Sequence, residues 1–429
     1  MMKSIFNIQE RATVDDSIRS YQYVEYQPIT GTQLNMPGEI TITIENTDDF
    51  HHPRQSYLVV EGSLVKEDGT RYADADEITL THNGIMHLFS NMKYSLSGME
   101  IESINHPGPA STILGSIKYT PDIQKGSGLM QCWYPDTAPA ADRVANTGFG
   151  VRQAYIIQAP NPKGQFSCMI PAEHLFGFCE DYDKAMYGVR HQLTLVRKTA
   201  DSDAIFKAAA TVDGKVVLTK ISWMMPKVVP NDAEKYALYK QIEAKNVFDV
   251  RFRRRQCSII EIPQATSMQW RVSVKTVPEQ PRWIIVGIQT DKRGNQAHNA
   301  SLFDHCNVTN MSIVLNSERY PLLNANADFA KYKFASFYKA MSEFLPKYYG
   351  MDPLVGNACI SPSSYHDLYP LYVFDVSKQS ERLDTGVVDV TVDMQFSANV
   401  PAQTCAYAVV LSDRHIKLQS DGKKMNVVF

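Results

Sequence analysis

Apolar and polar residues alternate along most of the chain in short runs, the pattern of strands that bury one face of an antiparallel sheet. "EITITIEN" (39–46), "VRHQLTLVRK" (189–198) and "VVDVTVDMQFSA" (387–398) are representative. Helical periodicity is confined to a few stretches. "GPASTILGSIKY" (108–119) predicts a short helix and "ADFAKYKFASFYKAMSEFLPKYYG" (327–350) a long one. In the long one Phe329, Tyr332, Phe337, Met341, Phe344 and Leu345 fall on one face, with Gly350 as the stop. That stripe reads as packing against a sheet rather than as a ligand box.

The strand pattern repeats. "LFSNMKYSLSGME" (88–100) and "NVTNMSIVLNSE" (307–318) each open on an Asn-Met pair, alternate, and close on a small polar turn about half the chain apart. Walking outward, "YLVVEGSLVKEDG" (57–69) parallels "WIIVGIQTDKRG" (283–294), and "YVEYQPITG" (23–31) parallels "SIIEIPQAT" (258–266). "EITITIEN" then parallels "QWRVSVKT" (269–276), and both halves turn helical after the signature. Finally "LFGF" (175–178) with 189–198 parallels "LYVF" (371–374) with 387–398. Ordered matches of this kind predict an internal duplication. The stretch 121–150, rich in Gly, Pro and Ala, has no counterpart and reads as a long surface excursion.

The predicted units are an arm at 1–17, a first module at 18–229 and a second at 230–429. The second opens on a linker helix at about 231–245, with Asn231 as N-cap and Glu234 at capping-box spacing. Each half holds roughly eight strand candidates with long irregular loops, which suits a jelly-roll sandwich better than an even meander. The expected fold class is all-β, two tandem eight-stranded jelly-roll β-sandwiches with a few short helices.

Totals agree with two cores. At 429 residues the chain exceeds the roughly 250–300 residues of a single core, and its 44% hydrophobic and 21% charged residues are those of an ordinary globular protein. A net charge of −3 argues against a surface that grips nucleic acid throughout. The seven cysteines (Cys132, Cys168, Cys179, Cys257, Cys306, Cys359, Cys405) are odd in number and scattered, so reduced buried thiols and folding in the cytosol or nucleus are expected. The Asn-x-Ser/Thr triplets at Asn299, Asn307 and Asn310 then carry no glycan. No run approaches the ~18 apolar residues of a membrane span, so no stable membrane insertion is expected. "MMKSIFNIQERATVDD" has no apolar signal region, so secretion through a signal peptide is not expected either.

The tandem pattern, the strand–turn–strand–helix block in both halves and the C-terminal "AYAVVLSDRHIKLQSDGKKMNVVF" together resemble the double jelly-roll major capsid proteins of icosahedral DNA viruses. "FDVRFRRRQCSIIEIP", "VTNMSIVLNSERYPL" and "YPLYVFDVSKQSERLDTGVVDVTVDMQF" are most similar to the Polinton and adintovirus branch, which includes copies integrated in animal genomes. The resemblance implies a homotrimer of pseudo-hexameric outline that tiles a viral shell, a separate vertex (penton) protein, and residence in the virion capsid. It implies no enzymatic activity and no cofactor. Two other readings stay open: a tandem β-sandwich protein binding carbohydrate or another ligand, and a non-virion assembly scaffold of the same architecture.

Candidate chemistry is sparse. In "FDVRFRRRQC" a strand would place Arg251, Arg253 and Arg255 on one face and Phe252 with Arg254 on the other. The trio could meet the phosphates of a packaged genome without regard to sequence, or guard a sheet edge and form interchain ion pairs. His51-His52 beside Asp48 and Asp49 lacks the spacing of a metal site. His305-Cys306, Asp413-Arg414-His415, and Ser363, Ser364, His366 and Asp367 are local groupings without a nucleophile elbow. No catalytic and no metal-binding residues are assigned.

Overall fold

The structure is a computed structural model that describes residues 17–158, 164–272, 279–354, 356, 360–378, 388–421 and 424–428. The expected arm up to residue 16, the part of 269–276 beyond Val272, and Cys359 lie outside these residues.

Strands of the first half are β1 (Ile18–Tyr26), β2 (Gly38–Ile44), β3 (Phe50–His51), β4 (Tyr57–Lys66), β5 (Ile78–Leu80), β6 (Phe89–Leu96), β7 (Met99–Asn105), β8 (Gln165–Pro171), β9 (His191–Arg197), β10 (Ile205–Lys207) and β11 (Gly214–Pro230). They form a sheet β1-β11-β4-β8 with β3 added on β11, a second sheet β2-β9-β6-β7, and the small pair β10-β5. The second half has β12 (Val247–Glu261), β13 (Ser267–Val272), β14 (Gln280–Thr290), β15 (Val308–Leu315), β16 (Glu318–Tyr320), β17 (Leu371–Asp375), β18 (Val390–Phe396), β19 (Thr404–Ser420) and β20 (Met425–Val428). Its sheets run β12-β19-β14-β17, with β20 on β19, and β13-β18-β15-β16. The first strand of each half therefore pairs with the last long one, and the second with the last but one. This is jelly-roll winding, carried out twice.

The doubled sequence signature has a structural cause. In both copies the register slips just before the Asn-Met pair, between Phe89 and Asn91 against β9 and between Val308 and Asn310 against β18. The resulting bulge turns the Asn side chain toward a neighbouring segment. Asn91 Nδ2 donates to Asn105 Oδ1 at 2.7 Å, and Asn310 Oδ1 accepts from the Ala325 N–H at 2.9 Å. Met92 and Met311 then return to the core opposite Leu195 and Met394. Both hairpins close on two residues with positive φ, Ser97 (48°) and Gly98 (85°) in one, Asn316 (46°) and Ser317 (85°) in the other. That turn matches the right-handed twist of the strands it joins.

The helices are α1 (Gly84–His87), α2 (Pro107–Lys118), α3 (Pro121–Lys125), α4 (Thr147–Ile156), α5 (Ala172–Leu175), α6 (Gly177–Asp181), α7 (Asp232–Glu243), α8 (Ala335–Ser342), α9 (Phe344–Tyr349) and α10 (Pro362–Asp367). α7 is the expected linker helix, and Asn231 Oδ1 caps it by accepting from the Glu234 N–H at 2.8 Å.

Three expectations are corrected. The helix over 327–350 is broken: Tyr332 takes a left-handed conformation (φ 55°) and stands 69% exposed, off the face that Phe337, Met341 and Phe344 bury. The parallel of "LFGF" with "LYVF" does not hold: "LYVF" lies in β17, whereas "LFGF" is the junction of α5 and α6, and the strand that pairs with β4 is the preceding β8. A four-residue apolar run reads the same in a buried helix and a strand, and only pairing separates them. The stretch 121–150 is a surface excursion only in part: Val144 is exposed, but Trp133, Asp136 and Asn146 are buried. Its small residues permit close packing: a Cβ on Gly148 would strike the Pro135 carbonyl.

Candidate functional site at the seam between the halves

β12 leaves α7 at the surface and runs under the first half, against α6 and β7. Exposure falls along it, with Arg251 exposed, Arg253 half-buried and Arg255 buried. Gly177 at the start of α6 has no Cβ, so the backbone of α6 lies directly on the Arg253 carbonyl.

This close approach aligns a set of charges. The Arg253 N–H donates to Asp181 Oδ2 at 2.7 Å, its Nη1 donates to the Tyr348 carbonyl at 2.8 Å, and its guanidinium lies 3.6 Å from the centre of the Tyr348 ring. The Arg255 N–H donates to Glu102 Oε1 at 2.8 Å, and Nη1 donates to the His174 carbonyl at 2.7 Å. Its Nη2 donates to the Glu173 carbonyl and also pairs with Glu180. Glu180 accepts in addition from Lys118 Nζ (2.5 Å), the Tyr348 hydroxyl (2.8 Å) and the Tyr349 hydroxyl (2.5 Å). A carboxylate of the first half is thus held by an arginine and two tyrosines of the second. On the other face of β12, Arg254 Nη1 donates to Glu279 Oε1 at 2.7 Å, and Arg414 shares that oxygen.

Electrostatics follow from burial against pairing. Burial alone would raise the Glu180 carboxyl, but Lys118 and Arg255 outweigh it and hold the group well below the ordinary carboxylate range. Lys118 is lowered to about 8, because burial penalises its charge more than Glu180 restores it. Both remain charged at neutral pH. Glu102 is raised by burial, with Arg255 and the N–H groups of Phe178, Arg255 and Gly177 opposing.

A second polar cluster ties the misread stretch 121–150 into the seam. Asp136 Oδ1 accepts from Arg152 Nη2 and Asn146 Nδ2, each at 2.7 Å, while Oδ2 accepts from Asn299 Nδ2 of the second half at 2.7 Å. The Tyr369 hydroxyl donates to the Asp136 carbonyl at 3.1 Å, and the Ser301 hydroxyl donates to the His82 carbonyl. A solvent-connected cavity of about 520 Å³ opens on the first cluster, lined by Lys118, Glu180, Asp181, Arg253, Tyr349 and Met351 among others. Its cations and carboxylates already neutralise one another, so it presents matched charge rather than a free nucleophile or base.

Of the three arginines singled out in the sequence, then, the fold does not make one outward-facing trio. Arg253 and Arg255 bind carboxylates and carbonyls of their own chain, and only Arg251 is left on the surface. The local groupings also resolve. His52 Nε2 meets Asp183 Oδ1 at 2.8 Å, and His415 Nε2 meets Asp249 Oδ1 at 2.7 Å. His366 has both nitrogens engaged, by Asp367 Oδ1 at 2.5 Å and the Phe329 carbonyl at 3.1 Å, while Ser363 bonds Ser361. Among the described residues no three His, Cys, Asp or Glu side chains are placed to hold a metal ion, and no helix is long and apolar enough to cross a membrane. Glu102, Glu180 and Asp181 were missed in the sequence. Four arginines in one apolar strand were the available signal, since buried cations require carboxylates and "GFCEDYDK" offers an acidic pair directly after an apolar run.

The model of the double jelly roll-like domain family matches residues 143–416, which span the seam and most of the second half. Solved structures agree in fold. A chain of the Sputnik virophage superposes with a TM-score of 0.65 at 9% identity, covering 99% of this chain and 91% of that one. The mavirus major capsid protein gives 0.58 at 12% identity, with 100% and 93% covered. The Faustovirus major capsid protein gives 0.55 at 9% identity, with 96% and 92% covered. No curated protein matches the chain in sequence.

Proposed function

Since this chain belongs to the double jelly roll-like family, we propose that it is a structural major capsid protein whose trimers tile the shell of an icosahedral virus. One observation carries the reading: the same strand order in two successive sandwiches, locked side by side by a buried charged seam. Two like modules per chain turn threefold symmetry into a pseudo-hexameric outline, and a hexagonal block closes a flat lattice through repeated lateral contacts. The seam supplies what such a block needs, a fixed angle between its modules. We place the module boundary at α7, giving 18–229 and 230–429.

The partners follow from the same reading: further copies of the chain, a separate penton protein at the vertices, and a place in the virion capsid. Placement on the Polinton and adintovirus branch rests on the sequence resemblance alone. Light scattering is expected to give about three times the 48.4 kDa chain mass, and electron microscopy of the same material hexagonal blocks or sheets. A monomer across the micromolar range overturns the trimer.

Contact with a packaged genome is proposed for Arg251 only, against the alternative of an edge guard or an interchain ion pair. Arg251→Ala is expected to leave the urea midpoint of the chain within about 0.5 kcal/mol, as for other exposed charges. If it meets a phosphate, the salt dependence of DNA retention by assembled particles falls by about one unit of slope per contact. An unchanged slope leaves the residue as edge or interchain charge.

A further inference from the structure

Two buried histidines at one end of the first sandwich stand outside the seam. His51 in β3 and His191 at the start of β9 are 1% and 0% exposed, with ring centres 5.2 Å apart. Among the described residues neither nitrogen of His51 has a hydrogen-bond partner, nor does Nε2 of His191; the remaining nitrogen, His191 Nδ1, meets the Tyr94 hydroxyl at 2.8 Å. The strands they sit on belong to opposite sheets, since β3 pairs with β11 and β9 with β2 and β6. The two rings are therefore a contact between the layers.

Both ends of one loop are fastened to this pair. His51 and Met186 exchange backbone hydrogen bonds at 2.9 and 2.7 Å, and five residues later the loop ends in His191 itself. Between them, the Gly188 carbonyl accepts from the N–H of Met425, the first residue of β20, at 2.9 Å. The Ser97 hydroxyl donates to the Met425 carbonyl at 3.2 Å. The last strand of the chain is thus joined to the first half by a loop that starts from the backbone partner of His51 and ends in His191.

We propose that the His51–His191 pair is an acid-operated release of the Met425 end of β20 from the first half, β20 itself staying paired to β19. A proton on either ring places a charge in a dry contact between sheets, and a second adds like-charge repulsion. Water can solvate the rings only if β3 and β9 separate, and that movement pulls Met186 away from His191 and opens the Gly188 contact.

The charged and titratable groups around the pair do not cancel this effect. From β1 the Tyr26 ring lies 6.5 Å from His51, and from β6 the Tyr94 ring lies 6.3 Å from His191. Asp49 would favour a proton on His51, but its carboxylate is engaged by Lys227 of β11 at 2.7 Å, and Lys227 itself opposes the proton. Burial, the largest influence, lowers His51 to about 4 and His191 well below the ordinary 6.5, the latter with His51 as a further cause. Both folded values are depressed, so the opened form takes up protons first. The contact is at full strength above pH 6.5 and weakens as the pH falls toward 4.

The test is amide hydrogen exchange of the full-length chain at pH 7 and pH 4.5, corrected for the intrinsic exchange rate. Segment 186–191 and the Met425 amide are expected to exchange about tenfold faster or more at the lower pH, relative to β15 and β18. In His51→Phe/His191→Asn, which cannot take up a proton at either site, the acceleration is expected to vanish. Protection that survives to pH 4.5, or that is lost equally in the double variant, overturns the release. If the variant does not fold, imidazole nitrogen shifts of the unaltered chain decide. Titration well below the ordinary 6.5 together with loss of Met425 protection supports the release, and titration near 6.5 with Met425 still protected overturns it. The inference holds whether or not the chain builds shells.

Discussion

Glu180→Ala is expected to lower the stability of the chain by about 3–5 kcal/mol, read as a fall in urea midpoint. The size follows from what is left behind. The substitution strands Lys118 and Arg255, both nearly excluded from water, and removes the acceptor for two tyrosine hydroxyls. An unpaired buried charge costs far more than a surface pair returns, and the loss is a large share of the roughly 5–15 kcal/mol that holds a domain together. Glu180→Gln keeps an acceptor without the charge and is expected to fall between. Lys118→Met/Glu180→Leu/Arg255→Met removes all three charges together and is expected to recover most of the loss, because apolar groups of like volume can replace a buried ionic cluster. An Ala variant with an unshifted midpoint would mean that water reaches the cluster and that it does not hold the halves. The Glu180 contribution is present in full above the ordinary carboxylate range near 4.5. It is lost only as the pH drops through a folded value well beneath that, so ordinary acidification leaves this cluster in place while it acts on the His51–His191 pair.

Gly177→Ala is expected to cost about 3 kcal/mol or more, at the top of the range for overpacking, although it adds a single methyl group. That methyl would coincide with the Arg253 carbonyl, and backbone lies on both sides, so no side-chain rotation relieves the overlap. Either α6 or β12 must move. The Arg253 N–H to Asp181 and Arg255 N–H to Glu102 bonds then lengthen together, and the amides of Arg253 and Arg255 are expected to lose hydrogen-exchange protection. If assembly needs a fixed angle between the halves, trimer mass is lost as well. Gly69→Ala is the comparison: its φ of 86° strains any side chain, but none of the described residues lies within 4 Å, so about 1–2 kcal/mol with no change at the seam is expected. Equal effects from the two substitutions would show that backbone conformation, not the seam, sets the cost.

How much was legible in the chain depended on the range of the interaction. The closing turns and the Asn231 cap were readable because each is made by residues a few positions apart, and left-handed turn and N-cap have residue preferences that survive in isolation. The repeat of the Asn-Met pair was readable too, but the bulge behind it is set against β9 and β18, far along the chain. The long helix was misread because periodicity does not register the tight turn at 328–333, where Asp328 bridges Lys333 and Tyr332 is left-handed, ahead of the separate helices α8 and α9. The stretch 121–150 was misread for a different reason. Gly, Pro and Ala are what a loose loop contains, and they are also what lets Gly148 close on Pro135 and bring Asp136 to Asn299.

By itself, the order of alternating runs determined that one β-rich unit occurs twice, since alternation follows from a single buried face; the winding, which pairs β1 with β11 and β12 with β19, joins strands from the two ends of each half. Which charges are buried was decided only in three dimensions. Arg255 and Glu180 lie 75 positions apart and meet because Gly177 lets α6 rest on β12. An arginine on an alternating strand carries the same letter whether its face meets solvent or a carboxylate, and the Coulomb energy that separates the two cases depends on a distance that no local pattern records.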